Sequence, residues 1–178
     1  MTSDADRRLL LRIAREAIVA HVSLRPFSKM ERAVVLDRSS GVFVTIHSNG
    51  ALRGCIGHVE ATEPLGRLVP RCAVAACSTD PRFAPVTASE LADLILELSL
   101  LGPIEPVSAA DDIEVGRHGL MVERDWQRGL LLPQVATEWR WDRVTFLAET
   151  CRKAGLPADA WQRGATLWKF EAEVFGER

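Results

Sequence analysis

At 178 residues and 19.7 kDa the chain has room for one domain, or one domain with a small lobe. Lys and Arg total 22 against 24 Asp and Glu, a formal net charge of -2 with a pI near 6.1, which argues against a generally basic nucleic-acid binder. Apolar residues at 47% and charged residues at 26% are those of an ordinary globular chain, so a sizeable core can form and wholesale disorder is excluded.

In chain order, Leu10, Ile13, Ala14, Ala17, Ile18 and His21 recur at helical spacing, which predicts an amphipathic helix over residues 5–22 capped by Ser3 or Asp4. Val42 to His47 is a β-branched and aromatic run. It ends in Ser48-Asn49-Gly50, a turn signal, and Ala51 to Glu60 returns as its hairpin partner. Thr62-Glu63-Pro64 opens a helical stretch toward Thr79, where Pro70 predicts a kink or two short helices. Asp80 to Pro85 reads as a rigid loop, and Thr87 with Glu90 as a capping box for a short helix that leads into a buried strand, Leu94 to Leu100. A connector from Pro103 to Gly116 offers a sublobe boundary. Gly119 to Glu123 and Gly129 to Ala136 predict a second hairpin around a longer loop, Arg124 to Arg128. Asp142 caps a helix from Arg143 to Ala154 with Val144, Leu147, Cys151 and Ala154 on one side, and Gly155 stops it. The last element is a strand with Trp168, Phe170, Ala172 and Val174 on its apolar face. Hairpins mixed with irregularly spaced helices predict an α+β fold with mainly antiparallel sheets and flanking helices.

Leu52-Arg53-Gly54-Cys55-Ile56-Gly57-His58 is the most unusual stretch, a thiol between two glycines that permit close backbone approach. A regular strand would put Arg53, Cys55 and Gly57 on one face, where the Arg53 cation would favour the thiolate needed for nucleophilic catalysis. A small buried hydrophobe is the plainer reading of Cys55. Cys55 and His58 face opposite ways on a regular strand, and Cys72 and Cys77 lie roughly 140° apart around a helix, so no metal site is predicted. His118, in Gly116-Arg117-His118-Gly119, could serve as base or proton shuttle from a flexible strand entry, or be a solvated loop histidine. Asp80-Pro81-Arg82-Phe83 offers a guanidinium suited to a carboxylate or phosphate, unless Asp80 simply pairs with Arg82. Glycine-rich phosphate loops, a Gly-x-Ser-x-Gly elbow and a His-Glu-x-x-His helix are absent. Four cysteines in a chain of this size imply no disulfide scaffold. No stretch reads as a signal peptide or membrane span, so a soluble cytoplasmic protein is expected.

Leu52-Arg53-Gly54-Cys55-Ile56-Gly57 resembles the signature of the AMMECR domain family, whose bacterial and archaeal branch is the AmmeMemoRadiSam system protein A. Asp80-Pro81-Arg82-Phe83, Gly116 to Leu120, Gly129 to Ala136 and Thr150 to Leu156 are similar to further parts of the family pattern, so the resemblance covers essentially the whole chain. Pro70 departs from that pattern. The resemblance implies a single two-lobed AMMECR domain over residues 1–178, with the Arg-Gly-Cys signature near a cleft between a larger and a smaller lobe. It brings no established reaction, but the branch name implies association with a Memo-like protein and a radical SAM enzyme.

Two functional readings follow. In the first, the chain is a ligand- or partner-binding component of that system, with Arg53, Gly54, Gly57, Arg82 and Arg117 forming a cleft for a small anionic ligand or a partner; the net charge disfavours RNA. In the alternative, it is a cysteine-dependent enzyme transferring an acyl or other group, with Cys55 as nucleophile and His118 as acid or base. Neither reading calls for a cofactor.

Overall fold

The structure is a computed structural model that describes residues 2–28 and 32–177. The chain divides into two compact units, one built from the segment up to Leu100 together with the segment from Glu173 onward, the other from Leu101 to Ala172.

The first unit opens with helix α1 (Asp4–Val22), where the Ser3 hydroxyl accepts the Asp6 amide. Its buried face carries Leu10, Ile13, Ala14, Ala17 and Ile18 of the predicted stripe, while His21 at its end is exposed. One turn of helix, α2 (Val34–Asp37), precedes the hairpin of β1 (Val42–Ser48) and β2 (Ala51–His58). Asn49 and Gly50, at φ 51° and 77°, supply the two left-handed residues that a tight hairpin turn requires. Helix α3 (Leu65–Ser78) follows, then a 3-10 turn over Ala88–Asp93 closed by Thr87 and Glu90, and β3 (Leu94–Leu101). β1 lies between β2 and β3 and is antiparallel to both, leaving β2 at the edge. The core combines Leu10 and Ile18 of α1, Val44 and Ile46 of β1, Leu65 and Leu68 of α3, and Leu96 and Leu98 of β3.

The second unit contains β4 (Glu105–Pro106), β5 (His118–Arg124), β6 (Gln127–Leu131), helix α4 (Pro133–Glu138), helix α5 (Arg143–Lys153) and most of β7 (Thr166–Gly176). β7 lies between β4 and β5, β5 pairs on to β6, and every pairing is antiparallel. Ile113, Leu120, Phe146, Leu147 and Cys151 form its core. Beyond Ala172 the chain belongs to the first unit, where the Glu177 amide donates to the Leu96 carbonyl of β3. The antiparallel α+β fold with flanking helices is the one the sequence predicts.

Several local expectations are corrected. α3 is one helix through Pro70, because its buried side, from Leu65 to Cys77, holds it against the core despite the missing amide. The second hairpin turns on two residues, Asp125 and Trp126, and the returning strand ends at Leu131; Pro133, fixed at a helical φ, starts α4 where a strand was expected. In α5 the buried side is Phe146, Leu147, Thr150 and Cys151, while Val144 is 59% exposed. β7 buries Leu167 as well as Phe170, residues of opposite parity, so within the second unit it is covered on both faces.

Candidate functional site

β2 is not a regular strand. Ile46 of β1 stands opposite Gly54 and His47 opposite Leu52, so Arg53 is an extra residue in the ladder, a β-bulge. The two signature glycines answer two separate steric demands. A Cβ on Gly54 would stand 2.2 Å from the Ala76 carbonyl oxygen of α3, and one on Gly57 would stand 2.4 Å from both the Phe43 ring and the Val42 carbonyl oxygen of β1. Gly54 thus lets helix and strand backbones meet, and Gly57 makes room for the ring across the ladder.

Cys55 sits between them on the open side of the edge strand. Its amide donates to Asp80 Oδ2 at 2.9 Å, and its carbonyl accepts from Arg82 Nη2 at 3.3 Å. Asp80 and Arg82 are themselves joined twice, Nη2 to Oδ2 at 2.7 Å and Nε to Oδ1 at 3.0 Å. This ion pair occupies the place of a neighbouring strand, offering one acceptor and one donor to the edge at Cys55. Asp80 is only 3% exposed, and the Arg82 hydrogen bond foremost, with the Cys55 and Arg82 amides, holds its carboxyl far below the usual carboxylate range. The Cys55 thiol is half-buried and accepts from the Thr45 hydroxyl at 3.3 Å.

Arg53 points to the same loop. Its Nε donates to Glu90 Oε1 at 2.7 Å, Nη2 to Glu90 Oε2 at 3.2 Å, and Nη1 to the Ala84 carbonyl at 2.9 Å. The Arg53 hydrogen bond, followed by the Thr87 amide, draws the Glu90 carboxyl down to about 2. Phe83 packs against both cations, its ring centroid 6.0 Å from the Arg53 guanidinium and 5.4 Å from that of Arg82. Arg53, Cys55 and Arg82 are therefore brought together, with each guanidinium balanced by its own carboxylate. The other three cysteines are buried; burial pushes the Cys72 and Cys77 thiols up to about 11 and raises that of Cys151.

Arg117 and His118 belong to the second unit. Arg117 donates to Glu171 at 2.8 Å and to Glu114 at 3.2 Å. His118 is buried, and its Nδ1 accepts the Glu114 amide at 2.9 Å. Burial first, then the charges of Lys169 and Arg117, lower its affinity for a proton, so the ring is neutral at pH 7. Among the described residues no group of three His, Cys, Asp or Glu is placed to hold a metal ion, and no helix is long and apolar enough to cross a membrane.

Glu90, Phe83 and Thr45 are parts of the site that sequence reasoning missed. Glu90 is legible only as a helix cap, which it also is, through the Thr87 amide at 2.8 Å. Thr45 lies opposite Cys55, and register alone could have found it.

Comparison with known proteins adds the lineage. The AMMECR1 family model matches residues 11–175. A relative from Methanothermobacter thermautotrophicus is 46% identical over 96% of this chain and 93% of its own length, and one from Pyrococcus furiosus is 42% identical over 94% and 86%. The crystal structure of an uncharacterized protein from Pyrococcus horikoshii superimposes with a TM-score of 0.95 at 38% identity, covering 99% of this chain and 94% of that one.

Proposed function

The chain belongs to the AMMECR1 family, and from that premise we propose that it is a binding component whose recognition surface is the Cys55 edge of β2 with the Asp80–Glu90 loop. The supporting observation is the charge balance of that surface. Arg53 is held by Glu90 and Arg82 by Asp80, so the guanidinia fix the loop in place and are not presented singly to an anion. What remains on offer is a half-buried thiol, an aromatic ring between two cations and a short strand edge, features suited to a protein partner. The Memo-like and radical SAM proteins of the same system are the partners we assign to it.

Alkylation footprinting tests this. In the native protein iodoacetamide modifies Cys55 while Cys72, Cys77 and Cys151 react only on unfolding, and adding the two partner proteins protects Cys55. An unchanged Cys55 rate with both partners present overturns the assignment. A second reading is favoured by the Thr45 hydroxyl aimed at Sγ: Cys55 as nucleophile, its thiolate attacking an acyl carbon to form a thioester while the leaving group departs with the proton the thiol gave up, and an acceptor then breaking the C–S bond to take the acyl group, its own proton returning to the sulfur. The same experiment run across pH decides it, since an activated thiol titrates below ~8.5 and an ordinary one does not.

A further inference from the structure

A cavity of about 670 Å³ is lined entirely by residues of the second unit, and its reading does not rest on that of the β2 surface. One wall is the loop Glu114–His118. The Glu114 carbonyl accepts the His118 amide at 2.9 Å while the Glu114 amide donates to His118 Nδ1 at 2.9 Å, and Gly116, at φ 90°, makes the turn between them. The imidazole is thereby fixed in position and in tautomer. Nδ1 accepts, so in the neutral ring the proton is on Nε2, which makes the ring a donor and not a metal ligand. His118 is 8% exposed and lines the cavity, yet Nε2 has no hydrogen-bond partner among the described residues. The Nε2–H thus faces the cavity as a donor that no acceptor among the described residues engages, available to whatever the cavity receives.

The charges around it are mixed. Lys169 donates to the Asp112 carbonyl at 3.1 Å and brings its ammonium close enough to act on His118, and Arg117 is shared between Glu114 and Glu171. Glu105, also in the lining, has no side-chain partner among the described residues, and the carboxylates outnumber the cations.

We propose that this cavity is a site for a small amino acid of net positive charge: its carboxylate accepts from His118 Nε2–H beside Lys169, and its ammonium groups meet Glu105 and the acidic excess. A carboxylate alone would face that excess, and an ammonium alone would leave Nε2–H unmatched. The test uses L-lysine as probe, with L-glutamate and acetate as controls, read by two-bond 1H–15N NMR of the histidines. The free protein should show His118 protonated at Nε2. L-Lysine should shift its resonances saturably, and L-glutamate and acetate should not. His118→Phe should weaken L-lysine binding about tenfold, the worth of one hydrogen bond to a charged group. Glu105→Gln, an exposed position where folding is not at stake, should weaken it severalfold. A proton on Nδ1, an unshifted His118 in L-lysine, or an unchanged affinity in Glu105→Gln overturns the proposal.

Discussion

At the scale of single residues the site is governed by what its glycines exclude. Gly54 and Gly50 are both in the β1–β2 hairpin, yet their demands differ in kind. Gly50 has a left-handed φ and open space around it, so a side chain there meets backbone strain alone, about 1 kcal/mol. Gly54 meets the α3 backbone itself, which cannot move aside as a side-chain tip can. Gly54→Ala should therefore destabilise by about 2–4 kcal/mol in urea unfolding, well beyond Gly50→Ala; equal losses would show that α3 yields. The sequence makes this segment conspicuous but hides its partners. Asp80 is 25 positions from Cys55 and Glu90 is 37 from Arg53, and charge pairs at such separations leave no periodic trace. The predicted help from Arg53 to the thiol assumed a regular strand, and the bulge that sends Arg53 to Glu90 is a register property that one strand's residues do not encode.

At the scale of elements, legibility follows how local the determinant is. α1, the first hairpin and the cap of α5 were readable because Ser3, Asn49-Gly50 and Asp142 act within three or four residues of themselves. At α3 the break into two helices that Pro70 would allow does not occur, because a strong local signal is overruled by a non-local one, the packing of Leu68, Val69, Cys72 and Ala76 into the core. That conflict persists in the folded protein: the Gly66 carbonyl lacks the amide that residue 70 would donate in an unbroken helix. Pro70→Ala restores the donor and relieves ring crowding but frees the unfolded chain, an opposing effect of about 0.4–1 kcal/mol. The net expectation is a gain of about 1–2 kcal/mol, read as a higher urea midpoint at unchanged slope. A lower midpoint would mean that the helix axis at Pro70 is shaped to the proline, and that the core around Val69 depends on it.

At the scale of the whole molecule, the titrating groups set a common direction. His118 binds protons less readily folded than unfolded, so its contribution is fully present above the unfolded value of ~6.5 and is lost as pH falls from there through the lowered folded value. Asp80 and Glu90 are depressed by their arginines; in Glu173 burial pushes upward but the hydrogen bonds from Thr2 and Arg7 prevail. These carboxylates contribute above their unfolded values near ~4 and lose that contribution as pH falls below. Stability should thus decline in two stages on acidification, a shallow one beginning near pH ~6.5 and a steep one below ~4. Urea midpoints measured from neutral pH down to about 3 read both stages. His118→Gln should flatten the upper stage alone, because glutamine cannot take up the proton that the buried ring resists. Asp80→Asn should lower the neutral plateau and make the lower stage shallower, since the pair at the edge of β2 is then absent at every pH. If His118→Gln leaves the upper stage intact, the proton is taken up by another histidine, and the neutral ring does not explain the acid sensitivity.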